Sequence, residues 1–316
     1  MSTGNQRWGQ FRSALCSEIV SGFGPPIRIG KLVLPDDLGY AQSRHFPSLI
    51  NGGGPFDFIL DNGCVTSIVD PEIAQRMAMP VVGKATLVSV SREAAVFVAM
   101  AQEIRLGGMT ASNLEVMVDP LRGPKSIKPT IRGVLGEDFL QKFDFLLDNK
   151  EQRLLFEQEP GVLRSMIEGI RLDLQRQSSP DGPPYRQLVV HARSLELGAR
   201  DLAIQLDSGS DVAILFSRIG KTLFMRRQTG LTTVIEDGRR QSAQLVRILS
   251  FRVGKIELTE PPLAIMDNRP SVPSGIDGAL PTSLFHSIYF SHAGGFIILN
   301  PSKVKPPRPM EMTGNF

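Results

Sequence analysis

Short apolar runs alternate with clusters of Gly, Pro, Asn and Asp along most of the chain. Such runs, rich in Val, Ile, Leu and Phe and bounded by turn residues, predict strands. The clearest are residues 56–60, 114–118, 146–156 and 188–191. Helical periodicity is brief: residues 71–77, with Asp70 as N-cap and Pro71 at the first position, and residues 137–143. The pattern predicts an all-β protein with a few short helices.

An apolar strand that runs into an Asp-x-Gly turn occurs twice in the chain. Each turn is followed by a second apolar run, so both copies predict a strand, a tight turn and another strand. The first copy follows residues 56–60 and the second follows residues 202–206. The two turns are Asp61-Asn62-Gly63 and Asp207-Ser208-Gly209.

A second motif follows each Asp-x-Gly turn at a similar distance. Apolar residues lead to a glycine, Gly136 in the first half and Gly278 in the second, and each glycine is expected to form a turn into a short helix. Two pairs of motifs in the same order predict an internal duplication into two similar lobes.

Composition divides the chain into five predicted segments. Residues 1–25 lack periodicity and predict a poorly structured start, and residues 26–158 form a first lobe. Residues 159–184 are polar and rich in turn formers, which indicates a linker. A second lobe covers residues 185–301, and residues 302–316 predict a disordered tail that contains Pro and Lys.

The duplicated motifs resemble those of bacterial two-lobed retropepsin-like and pepsin-like aspartic proteases. In that family an apolar strand ends in Asp-Thr/Ser-Gly, and a later apolar-apolar-Gly turn lies behind the catalytic loop. The resemblance implies two β lobes around a cleft, with Asp61 and Asp207 meeting at its floor. It also implies that Gly136 and Gly278 form the turns behind the site. Flaps would come from about residues 82–100 and 228–246.

The resemblance implies a specific chemistry for the two aspartates. Two carboxylates held a few ångströms apart cannot both ionise cheaply, so an aspartic protease dyad shares one proton. The ionised carboxylate is then the general base for a water, and the protonated one donates to the scissile carbonyl. Gly63 and Gly209 let backbone N–H groups approach the carboxylates. The implied function is an aspartic endopeptidase.

Three positions depart from the family pattern. Asn62 replaces the usual Thr or Ser, Cys64 replaces a small Ala or Ser, and Asp277 stands where an apolar residue is common. Ser208 has the hydroxyl that braces the opposite loop, whereas the amide of Asn62 lies one atom farther out. Three alternatives therefore stay open. The chain is an active endopeptidase, a protease-like peptide-binding protein that is weakened or inactive because of Asn62, or an unrelated β-rich surface or interaction protein in which the two aspartate turns never meet.

Charge and histidine spacing exclude several other kinds of partner. The formal net charge of the 316 residues is only +3, with Lys and Arg spread along the chain, which argues against a nucleic-acid surface. The four histidines lack metal-ligand spacing, so neither a metal nor a cofactor is expected. A peptide or protein is the expected partner. Since both lobes are in one chain, a monomer is expected.

The two cysteines, Cys16 and Cys64, lack CxxC spacing, so a disulfide framework is not expected and Cys64 is interpreted as a buried thiol. No apolar run is long enough to cross a membrane. The visible start predicts no signal peptide, because Glu18 interrupts its apolar stretch. The compartment stays open, although relatives of this type are often periplasmic or secreted.

Overall fold

A computed structural model describes thirteen stretches of the chain. They are residues 45–88, 93–150, 153–157, 164, 167–174, 188–198, 200–210, 213–216, 228–236, 239–248, 250–259, 261–266 and 275–300. The predicted segments 1–25 and 302–316 lie outside these stretches, as do residues 26–44 of the predicted first lobe.

The first half of the chain folds into a seven-stranded sheet that closes on itself. Its strands are β1 (His45–Ile50), β2 (Gly53–Leu60), β3 (Ile68–Val69), β4 (Val81–Val88), β5 (Glu93–Leu106), β6 (Met109–Val118) and β7 (Ile131–Leu135). The strand order is β1-β2-β7-β3-β6-β5-β4, and a further pairing of β1 with β5 closes the sheet into a barrel-like form. Alternate side chains of these strands fill its interior.

The helices are few and short. They are α1 (Pro71–Arg76), α2 (Arg122–Ile127) and α3 (Glu137–Leu140). The predicted N-cap is confirmed, because the Asp70 side chain accepts a hydrogen bond of 2.9 Å from the Glu72 backbone N–H. Helix α2 was not predicted, since Gly123 and Pro124 within it are poor helix formers.

The second half forms a nine-stranded sheet. Before it, the chain runs through β8 (Phe145–Asp148), β9 (Arg153–Phe156) and β10 (Ile170–Asp173). The sheet contains β11 (Val189–Arg193), β12 (Asp201–Asp207), β13 (Ala213–Phe216), β14 (Gln228–Glu236), β15 (Arg239–Arg247), β16 (Ser250–Val253), β17 (Ile256–Thr259), β18 (Pro262–Met266) and β19 (Gly278–Pro281). Its order is β14-β15-β18-β13-β19-β12-β11-β16-β17.

A third sheet joins the two halves. The last strands, β20 (Ser287–Ser291) and β21 (Phe296–Leu299), combine with earlier ones in the order β10-β21-β20-β8-β9. Strand β10 lies inside the predicted linker 159–184, so part of that segment is built into a sheet. Buried aromatic rings stabilise the junction. The ring centroids of Phe145 on β8 and Phe290 on β20 lie 4.7 Å apart. The all-β prediction is confirmed.

The strands around the two Asp-x-Gly turns pair in the same way. In the first half β2 pairs parallel with β7, β7 antiparallel with β3, and β3 parallel with β6. In the second half β12, β19, β13 and β18 repeat this series of pairings. The recurrence agrees with two similar lobes, and a duplication as their origin stays a prediction.

The register of these strands corrects the predicted role of Gly278. Gly278 pairs with Ile204, three residues before Asp207, just as Gly133 pairs with Phe58, three residues before Asp61. Gly278 is therefore the counterpart of Gly133 inside a strand. The position that corresponds to Gly136 is Pro281, which pairs with Asp207. The predicted correspondence is displaced by three residues because each half has two glycines three residues apart. They are Gly133 and Gly136 in the first half, and Gly275 and Gly278 in the second.

Gly278 is required by a close backbone approach. A Cβ atom there would lie 2.1 Å from the Ile214 carbonyl oxygen, whereas a Cβ at Gly83 in β4 would meet nothing within 4 Å. We expect Gly278→Ala to lower the free energy of unfolding by about 3 kcal/mol, because overpacking displaces the backbone. The matched control Gly83→Ala should change it by less than about 0.5 kcal/mol. Chemical denaturation followed by circular dichroism measures both, and equal effects would contradict the assignment.

Candidate active site

The two Asp-x-Gly loops meet at the centre of the molecule. Asp61 follows the end of β2, Asp207 ends β12, and both side chains are buried, with 3% and 0% of their surface exposed. The two carboxyl groups share a hydrogen bond. A Cβ at Gly209 would lie 2.5 Å from Cγ of Asp61, so the backbone of the second loop packs directly on the first carboxyl. The structure thus brings together the two aspartates that the sequence singled out.

Backbone N–H groups surround each carboxyl. Gly63 N donates to Oδ1 of Asp61 at 2.8 Å, and Cys64 N donates to the same oxygen at 3.2 Å. In the second loop, Gly209 N donates to Oδ1 of Asp207 at 2.8 Å. These donors stabilise negative charge on the pair, which offsets part of the cost of burying it.

Asn62 and Ser208 brace the two loops against each other. Asn62 N donates to Oγ of Ser208 at 3.0 Å, and Ser208 N donates to Oδ1 of Asn62 at 2.6 Å. The Ser208 hydroxyl also donates to the Leu60 carbonyl at 2.9 Å. The Nδ2 atom of Asn62 is buried and has no partner among the described residues. The brace is therefore reciprocal but incomplete on the side of Asn62.

Gln205 makes a further contact across the loops that sequence reasoning missed. It lies on β12 with 2% of its surface exposed, and its Nε2 donates to the Gly63 carbonyl at 3.2 Å. In the sequence, Gln205 is distinguished only as a polar residue inside the apolar run 202–206. A buried polar side chain in such a run normally has a specific partner.

A comparison with known families agrees with this geometry. Residues 47–139 match the family model described as aspartyl protease. The match supports an aspartyl protease family for this part of the chain. The matched segment contains the Asp61 loop, β7 and the start of α3, whereas the Asp207 loop lies beyond it. No curated protein matches the chain.

Burial dominates the electrostatics of the Asp61–Asp207 pair. Removal from water raises the pKa of Asp61 above its usual range, while its hydrogen bonds with Asp207 and with the loop N–H groups oppose that rise. The nearby Glu137 anion adds to the rise. Because two carboxyls in hydrogen-bond contact need one proton between them, the site favours a singly protonated pair.

Helix α3 docks on the first loop of the candidate site. Gly136 N donates to the Ser67 hydroxyl at 3.0 Å, and that hydroxyl donates to Oδ1 of Asp138 at 2.6 Å. Glu137 N donates to the Cys64 carbonyl at 2.7 Å. Burial raises the pKa of Asp138 to about 6. Asp138 therefore joins α3 to the residues after the loop.

Glu137 forms a buried ion pair with the joining sheet. Its Oε2 lies 3.2 Å from Nε2 of His292, and Nδ1 of His292 lies 2.9 Å from the Phe143 carbonyl. Burial opposes charge on the imidazole, but Glu137 and the carbonyl outweigh it and raise the pKa of His292. His292 follows β20, so the pair connects the first lobe to a strand from the end of the chain.

The remaining sequence predictions have varied outcomes. Cys64 is fully buried, as expected, but it is disulfide-bonded, so its interpretation as a thiol is wrong; Cys16 lies outside the described residues. The two expected flaps fall in the β4–β5 and β14–β15 hairpins. No helix in the described part of the chain is long and apolar enough to span a membrane.

The Glu137–His292 pair should make stability depend on pH. Because the folded state raises the pKa of His292 above 6.5, the pair stabilises the fold fully below about pH 6.5 and less as pH rises through the folded pKa. We expect His292→Asn to lose about 3 kcal/mol of unfolding free energy near pH 6, because Glu137 remains buried and unpaired. Urea denaturation across this pH range measures the change.

The control for this prediction is His286→Asn, since His286 is exposed and lies one residue before β20. It should leave both the stability and its pH dependence near those of the wild type. An equal loss in the two variants, or a pH dependence that survives in His292→Asn, would contradict a charged Glu137–His292 pair.

Proposed function

We propose that the protein is a two-lobed aspartic endopeptidase in which Asp61 and Asp207 form the catalytic pair. The observation that carries this proposal is the hydrogen bond between two buried carboxyls, each supported by backbone N–H groups of its own loop. A pair of turn aspartates with purely local roles would have no reason to meet across two sheets. The match of residues 47–139 to the aspartyl protease family model supports the same chemistry.

In the proposed reaction a water lies between the two carboxyls. The ionised carboxylate removes a proton from this water as its oxygen attacks the scissile carbonyl carbon, and the protonated carboxyl donates to the carbonyl oxygen. The resulting tetrahedral diol collapses when one of its hydroxyls gives a proton to the ionised carboxylate, the C–N bond breaks and the amine nitrogen takes a proton from the protonated carboxyl. The products are a carboxylic acid and an amine, and the pair returns to its singly protonated form.

The substrate of this proposed reaction is an extended peptide. The β4–β5 and β14–β15 hairpins correspond to the expected flaps, and a peptide beneath them would pair as an added strand. Since each half supplies one aspartate, a single chain holds a complete pair, which agrees with an expected monomer. Metal ions have no part in this mechanism.

One observation favours the alternative of a weakened, peptide-binding protein. The buried Nδ2 of Asn62 has no partner among the described residues, and an unpaired buried donor costs about 1–3 kcal/mol. A loop that carries this cost is held less firmly, and small displacements of catalytic groups reduce rate strongly. The loops nevertheless keep three hydrogen bonds through Asn62 and Ser208, so we favour an active enzyme.

The catalytic pair is tested by replacing each aspartate. We expect Asp61→Asn and Asp207→Asn each to lower the turnover of a peptide-library substrate by about 10³-fold or more, because each removes one partner in proton transfer. A statine-type inhibitor should block the wild type. Activity should fall as pH rises above the acidic range, since the raised pKa of Asp61 marks where the shared proton is lost.

Asp201→Asn is the matched control, because Asp201 begins the same strand as Asp207 and is exposed. It should keep its activity. Cleavage that survives in either Asp61→Asn or Asp207→Asn would show that the pair is not the catalytic centre. Absence of cleavage by well-folded wild-type protein at every pH from about 3 to 7 would favour the peptide-binding alternative.

Asn62 provides a gain-of-function test. Replacement by Thr removes the unpaired Nδ2 and offers a hydroxyl that both accepts and donates, as Ser208 does. We therefore expect Asn62→Thr to raise kcat by about 3- to 10-fold, with little change in KM. Asn62→Ala, which removes both amide functions, should lower kcat. Equal kcat values in all three proteins would show that the side chain at this position does not brace the loops.

A further inference from the structure

We propose that Gln205 is a positioning residue: it reaches from the second lobe and holds the Gly63–Cys64 peptide so that its N–H faces the Asp61 carboxyl. The inference rests on the proposed function for its catalytic meaning. Its geometry rests on one buried contact, the 3.2 Å hydrogen bond from Nε2 of Gln205 to the Gly63 carbonyl.

The planarity of the peptide bond transmits this contact to the carboxyl. The Gly63 carbonyl and the Cys64 N–H belong to one peptide unit, whose atoms lie in a plane. That N–H donates to Oδ1 of Asp61 at 3.2 Å. Fixing the carbonyl therefore fixes the direction of the N–H, and a hydrogen bond accepted at the carbonyl also strengthens the donor at the other end.

Among the described residues, no side chain of the first half makes the equivalent contact to the Asp207 loop. Ile59 is the counterpart of Gln205, because Ile59 pairs with Val134 as Gln205 pairs with Ala279, two residues before each aspartate. An isoleucine has no donor, so the support acts on the Asp61 loop alone. Packing alone would be served better by an apolar side chain here, since Oε1 of Gln205 is buried without a partner among the described residues.

Gln205 also offsets the incomplete brace. Asn62 and Ser208 supply three hydrogen bonds between the loops and leave Nδ2 of Asn62 unused. The contact from Gln205 to Gly63 adds a hydrogen bond from the second lobe, and it acts on the loop that contains Asn62. The two departures from symmetry, Asn62 and Gln205, thus act on the same loop.

Gln205→Met tests the inference because it keeps the length of the side chain and removes the donor. We expect kcat to fall about 10-fold with KM nearly unchanged. The fall in activity on the alkaline side of the pH profile should move to higher pH, since the Asp61 carboxylate loses a well-directed N–H. In an Asn62→Thr background the loss in kcat should be clearly smaller, because a completed brace holds the loop independently.

A second measurement does not depend on turnover. Protein labelled with ¹³C at the aspartate carboxyls is titrated by NMR, with Asp61→Asn to assign the Asp61 resonance. In Gln205→Met the titration midpoint of that resonance should move to higher pH. If the wild type proves inactive, the proposed function fails, whereas this titration still decides whether Gln205 supports the carboxyl.

Two further variants keep the test decisive. Gln75→Met makes the same chemical change at an exposed position of α1 and should match the wild type in every measurement. Gln205→Asn retains a polar amide but is too short to reach Gly63, so it serves if Gln205→Met does not fold. The inference is overturned if the folded Gln205 variant has the kcat, pH profile and Asp61 titration of Gln75→Met.

Discussion

The burial of two carboxyl groups in contact is the constraint on which the rest of the structure depends. Asp61 and Asp207 are almost fully removed from water, and a buried charge without compensation is far more costly than the net stability of a domain. The compensation comes from the hydrogen bond between the two carboxyls and from the loop N–H groups. Both require the two loops to keep one mutual geometry, so the lobes cannot be held together by nonspecific packing alone.

Three layers of contact maintain that geometry at increasing distance from the carboxyls. The innermost is the reciprocal brace between Asn62 and Ser208. Behind it, β7 and β19 lie parallel to the strands that carry the aspartates, and glycines at Gly133 and Gly278 permit the close approach. The outermost layer is the joining sheet, which contains strands from both halves of the chain. Each layer limits movements of the two loops that the layer inside it still allows.

The sequence predicted the features that depend on local pattern. Alternating apolar runs gave the all-β fold, the Asp70 cap gave α1, and the repeated Asp-x-Gly turns gave the two aspartates that meet. It failed where the answer depends on the register between distant strands. The role given to Gly278 was displaced by three residues, because pairing with Ile204 is visible only in the folded sheet. Strand β10, residues 170–173, was also missed. It lies among polar residues, and its pairing with β21 is visible only in the folded sheet.

The same limit explains why the asymmetry of the site was only half visible. Asn62 stands out in the sequence because it departs from a known turn pattern. Gln205 departs from no such pattern, and its role is visible only when its contacts in the folded protein are known. Once folded, both act on the loop of Asp61, one with an amide that leaves a donor unused and the other with an amide that leaves an acceptor unused. In our proposal these two amides, each with one unused polar atom, together supply the support that a second hydroxyl would supply alone. A symmetric pair of loops is therefore one solution for holding such carboxyls, and unequal loops with a compensating contact are another.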